Sequence, residues 1–138
     1  RVRGPLDKLS RNEAKNALFA TAFGAFVVAQ NAVRGMLNQK RGTILFTGAT
    51  ASIKGVAHSA SFAMGKFALR GLAQSMAREF HPQNIHIAHF IIDGSIGVSS
   101  GGTSLDPNSI AETYFFVHKQ DKSSWTWEIE LRPSMEIF

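Results

Sequence analysis

The chain has 138 residues, 44% of them hydrophobic and 18% charged, which suits one folded, soluble domain and excludes a disordered polyelectrolyte. It contains no cysteine, so disulfides and zinc–thiolate centres are excluded and a reducing cytoplasm is the expected setting. The net charge of +5 is unevenly spread: residues 1–78 hold twelve Lys/Arg against Asp7 and Glu13, and residues 79–138 hold three against eight acidic residues. The cations are scattered, with no run longer than Lys40-Arg41 and no interleaved aromatic platform, so no nucleic-acid partner is expected.

In chain order, Ser10 followed by Glu13 forms a capping box and predicts a helix over 11–39, with Leu18, Phe19, Ala22, Phe26, Ala29, Val33, Met36 and Leu37 on its apolar face. Lys40-Arg41-Gly42 ends it. Its most apolar stretch, 17–29, includes Thr21 and Gly24 and stops at Gln30-Asn31. It falls short of the roughly 20 apolar residues of a membrane span, so a buried helix and no membrane are expected. Thr43-Ile44-Leu45-Phe46-Thr47 predicts a buried strand, and residues 48–55 a loop. A second helix is predicted over 59–80, with Phe62, Leu69, Leu72, Met76 and Phe80 apolar and many small residues that allow close helix approach. His81-Pro82-Gln83-Asn84 stops it.

Residues 85–92 predict a second buried strand, 93–104 a flexible Gly/Ser-rich loop, 107–119 a third helix opened by Asp106-Pro107, and 125–131 a third, alternating strand that places Trp125 and Trp127 on one face. The helix–strand alternation argues an α/β fold with a parallel sheet. Three strands and three helices amount to part of a doubly wound, Rossmann-like sheet, and two long apolar helix faces exceed the partner surface this chain supplies.

The most informative stretch is Phe62-Ala63-Met64-Gly65-Lys66. It follows the strand end Phe46-Thr47-Gly48-Ala49-Thr50 by about a dozen residues, and precedes Asn84-Ile85-His86-Ile87 and Asp93-Gly94. This ordered set resembles the later half of the short-chain dehydrogenase/reductase family, whose active-site helix carries Tyr-x-x-x-Lys. The resemblance implies NAD or NADP as cofactor, a small-molecule alcohol or carbonyl substrate, and a homo-oligomer formed through the helices at 11–39 and 59–80. It makes the chain a single partial domain, 1–138, lacking the glycine-rich amino-terminal half, and as such it is expected to be inactive alone and not to hold a dinucleotide.

Carried over residue by residue, the resemblance puts Lys66 at the lysine that lowers the tyrosine pKa and holds the nicotinamide ribose. Phe62 stands at the tyrosine, Ala49 at the serine and Thr21 at the asparagine. Asp93, Gly94 and Ile96 fall at the turn beside the nicotinamide, and Val98, with Ser99 and Ser100, where a threonine is expected. Each has a plainer reading as well. Lys66 fits a solvated helix lysine, Phe62 a core aromatic, and Thr50 either a replacement hydroxyl or a loop hydrogen bond. Ser52, Ser59 and Ser61 read as loop or capping hydroxyls. His58, four residues before Phe62, is a candidate replacement for the lost acid/base, a role histidine side chains commonly take. His86 and His89 are three apart on a strand and point to opposite faces, so no shared metal is expected. Tyr114, beside Phe115 and Phe116, reads as packing. A non-catalytic binding or oligomerisation module of the same fold is the alternative function.

Overall fold

A computed structural model describes residues 2–98 and 101–136. The first helix, α1 (Arg11–Gln39), is continuous but passes through a π-helical turn at Phe19–Phe23. The Ser10 hydroxyl accepts from Glu13 N, half of the expected capping box, and Lys40 closes the helix in the left-handed region. Then follow β1 (Gly42–Thr47), α2 (Ala60–Phe80), β2 (Ile85–Ile92), α3 (Pro107–Lys119) and β3 (Glu128–Leu131). Asp106 caps α3 through its carboxylate, with Pro107 in the first turn.

The three strands form one parallel sheet in the order β1-β2-β3. All eight residues of β2 are buried, as an unalternating apolar strand between two neighbours should be. One core lies between the sheet and the helices α1 and α2, around Val33, Phe46, Leu69, Met76, Phe80 and Ile87. The other lies beneath α3, around Phe90, Ile92 and Val117, with Tyr114 stacked on Phe90 at 3.6 Å between ring centroids.

Three expectations need correction. Residues 125–127 are not strand, which begins at Glu128: the Trp125 indole stacks on His86 at 4.6 Å and donates to the Gln120 carbonyl, and among the described residues the segment meets the sheet's backbone only through the Trp127 carbonyl, which accepts from His89 N at 2.8 Å. The 93–104 loop is partly tied, with an isolated bridge between Ile96 and Leu105. Most consequentially, α1 is not a buried helix. Only Ala29 and Val33 are buried in its long second segment, while Phe19, Phe23 and Val28 are 51%, 54% and 70% exposed. Within the described residues, one side of α1 meets α2 and the sheet, and its opposite side meets nothing. An 18-residue window of this 29-residue helix also reaches a mean hydropathy of 1.3, long and apolar enough to cross a membrane by length and composition.

Candidate active site

β1 and β2 end side by side, Thr47 opposite Phe90. Beyond this edge Gly48 turns the chain, and its backbone N–H donates to the Phe90 carbonyl at 2.6 Å. A Cβ on Gly48 would lie 2.3 Å from Nε2 of His89, so a side chain there meets a ring already fixed from behind. The chain then enters a 3₁₀ turn, Thr50–Ser52, in which the buried Ser52 hydroxyl accepts from Ala49 N at 3.1 Å. At the carboxyl ends of the strands this turn, the start of α2 and the chain leaving β2 enclose a cleft of about 480 Å³. Crevices at this position are where open parallel sheets place their ligands.

Ala49, Thr50, Phe62, Asp93 and Gly94 all line that cleft. Its floor offers no free catalytic hydroxyl at the positions of Ala49 and Phe62. The Thr50 hydroxyl donates to the buried Asp93 carboxylate, which also pairs with Arg132, so its proton faces Asp93 and not the cleft. Asp93 is thereby a brace between three segments. Gly94 has φ +152°, and a Cβ there would lie 2.7 Å from Pro133, so the turn after β2 requires glycine.

Lys66 and Thr21 do not line that cleft but a separate hollow of about 490 Å³ between α1, α2 and β1. Nζ of Lys66 donates to the Thr47 carbonyl at 2.8 Å and lies 5.8 Å from the Phe62 ring centroid. Burial lowers its pKa. Thr21, in the π turn, packs on Gly65, where a Cβ would come within 3.0 Å of it. Ile96 is 57% exposed and outside the cleft lining, and Val98 is exposed. Ser99 and Ser100 lie outside the described residues. His58 is exposed with φ +60°, and does not line the cleft either. The Tyr114 hydroxyl is hydrogen-bonded to that of Thr47 at 2.9 Å, and burial raises its pKa.

A network that lies outside the site residues singled out above packs behind Gly48. His89 Nδ1 pairs with Glu128 at 2.9 Å, and Glu128 accepts both side-chain bonds of Arg70, at 2.7 and 2.8 Å. Burial lowers the His89 pKa more than the carboxylate raises it. Burial would raise the Glu128 pKa, but the bonds from Arg70 and His89 together hold it below the ordinary value. The signal was there in part: a histidine inside a fully apolar strand needs a buried partner. His86 faces elsewhere, donating to the Thr126 carbonyl at 2.8 Å.

The short chain dehydrogenase family model matches residues 1–96. The chain belongs to the short-chain dehydrogenase family. A short-chain dehydrogenase from Rhodopseudomonas palustris superposes with a TM-score of 0.86 at 38% identity, over 96% of this chain and 57% of that one. The 3-oxoacyl-[acyl-carrier-protein] reductase MabA of Mycobacterium tuberculosis is 32% identical over 80 residues, 58% of this chain and 32% of the reductase. A serine dehydrogenase complexed with NADP+ shares the fold, with a TM-score of 0.88 at 14% identity over 99% of this chain and 62% of that one. The chain thus spans about a third of the curated reductase and less than two thirds of either solved dehydrogenase.

Proposed function

We propose that this short-chain dehydrogenase chain forms the substrate side of an NAD(P)-dependent alcohol or carbonyl oxidoreductase whose proton-transfer group has been replaced. The observation that carries the reading is one cleft, at the carboxyl ends of parallel strands, lined together by Ala49, Thr50, Phe62 and Gly94. The residues at this end suit the sugar of a nicotinamide nucleotide. Lys66 is a half-buried ammonium at the β1 edge that donates to the Thr47 carbonyl and has further donors to offer. When bound, the nicotinamide supplies or accepts the hydride. The chain's own residues position the sugar through Lys66, exclude water through Phe62 and Ile92, and brace the turn through Asp93. Phe62 has no proton to give, and loss of a general acid typically lowers rate by about 10²–10⁴.

The test is made on the full-length protein with NADH and NADPH and a panel of carbonyls, following nicotinamide absorbance. Phe62→Tyr is expected to raise turnover by about 10²-fold, and Lys66→Ala to weaken nucleotide binding by about tenfold. A Phe62→Tyr protein as slow as the parent, with no nucleotide bound by either, overturns the oxidoreductase reading.

A second reading, an assembly module, is favoured by the uncovered α1 surface. Phe19, Phe23 and Phe26 form a ring-to-ring stripe, with centroids 5.4 and 6.2 Å apart. Phe26 also opens onto a groove of about 310 Å³ shared with Leu72 and Phe80 of α2. We propose that a second copy of the chain covers this face.

A further inference from the structure

We propose that the cleft selects substrates carrying an oxyanion, carboxylate or phosphate, through Arg3 and Lys54. This rests on the reading of the cleft as the substrate site. Both side chains line it, both belong to exposed residues, and neither has an ion pair or side-chain hydrogen bond among the described residues. The third cation of the lining, Arg132, is engaged by Asp93 and Glu130.

Their placement is built into the fold. Gly4 N donates to the His58 carbonyl at 3.0 Å and the Ser61 hydroxyl donates to the Val2 carbonyl at 3.1 Å, which tethers the segment on both sides of Arg3 to the entrance of α2. Ile53 N and Lys54 N both donate to the Thr50 carbonyl, at 3.0 and 2.9 Å, closing the turn that presents Lys54. Two acidic residues also line the cleft. Asp93 is neutralised by Arg132, and Glu136 stands by Gly94, its carboxylate 3.9 Å from where a Gly94 Cβ would be.

Apart from Thr50, Gly94 and Ser95, the rest of the wall is apolar, formed by Ala49, Ala51, Ile53, Val56, Phe62 and Ile92. With alanine and phenylalanine where polar groups are expected, and the Thr50 proton committed to Asp93, the floor supplies little to orient a small polar molecule. Orientation falls to the two unpaired cations, and a charge-assisted hydrogen bond from either is the strong contact available. A neutral ketone of the same size lacks it.

The experiment uses the full-length protein and two matched pairs, 4-oxopentanoate with its methyl ester and dihydroxyacetone phosphate with dihydroxyacetone. Binding is read by titration calorimetry and by amide shifts of residues 49–53. At least one anion is expected to bind about tenfold more tightly than its neutral partner, and the pair with the larger ratio names the group. Arg3→Ala/Lys54→Ala is expected to bring the anion down to the affinity of its neutral partner, while the neutral compound binds unchanged and so reports an intact cleft. Equal binding within both pairs, an anion preference that survives the double substitution, or no binding at all overturns the proposal. Because the readout needs no turnover, anion binding without nicotinamide oxidation leaves this site standing and counts against the oxidoreductase reading alone.

Discussion

His89 is shut away from solvent, Glu128 is mostly buried beside it, and Glu128 takes both donors of Arg70. In the folded chain His89 is neutral, its pKa lowered from the ordinary 6.5 by burial. The unfolded chain therefore takes up the histidine proton first, so stability is complete above pH 6.5 and falls as pH descends toward the folded value. Glu128 acts in the same direction lower down: burial opposes its charge, yet the bonds from Arg70 and His89 keep its pKa below 4.5, so its contribution is lost only as pH drops through that depressed value. Urea midpoints measured across pH should thus fall in two acid steps. Glu128→Gln should cost about 1.5–3 kcal/mol at neutral pH by removing the charge and one of the two oxygens that accept from Arg70 and His89, and should abolish the lower step while the upper one persists. A Glu128→Gln protein with both steps intact would mean that another carboxylate governs the acid transition.

At the scale of elements, the close approach of α1 to α2 turns on Thr21 and Gly65. A Cβ on Gly65 would meet Thr21 Cβ at 3.0 Å and its Cγ2 at 3.2 Å, so this crossing is already at contact. Gly65→Val should therefore destabilise by about 1–3 kcal/mol, and a Thr21→Ala background should recover part of the loss, because removing Cγ2 and Oγ1 lets the helices reseat. Denaturant unfolding of the two single variants and the double variant measures the coupling, and strict additivity would show that the helices do not meet there. The small residues of α2 announced this contact in the sequence. The unalternating run at 85–92 and the Asp106-Pro107 cap likewise announced β2 and α3, because those signals are local. The alternation at 125–131 misled, since Trp125 spends its ring on His86 and the strand begins only at Glu128. In the candidate site, Ala49, Thr50, Phe62, Asp93 and Gly94 were singled out by the family resemblance, counted from Phe62, and they line one cleft. Arg3 was not, because hydrogen bonds to His58 and from Ser61, far along the chain, set its place. The pairing of His89 with Glu128 joins two strands in a register that periodicity does not reveal.

For the whole molecule, the largest unresolved debt is the outer face of α1. A stripe of Phe19, Phe23 and Phe26 with Val27 and Val28 beside it leaves large apolar side chains in water, whereas scattered single residues would need no explanation. Gln30, Asn31 and Arg34 interrupt the apolar run just past this stripe, an arrangement costly inside a bilayer and ordinary at the rim of a protein interface. The stripe also continues into the groove shared by Phe26 and Leu72, so one surface spans both helices. These features fit a second copy of the chain as the cover. The full-length protein should sediment as a dimer or tetramer at micromolar concentration. Phe23→Asp, which places a carboxylate in the middle of the stripe, should weaken assembly by about 10- to 100-fold, while Val98→Asp, on the exposed loop after β2, should leave assembly unchanged. Sedimentation velocity over a concentration series reads both. If the parent protein sediments as a well-folded monomer throughout, the self-association is wrong. Pelleting of that monomer with phosphatidylcholine vesicles, lost in Phe23→Asp, would assign the same face to a lipid surface.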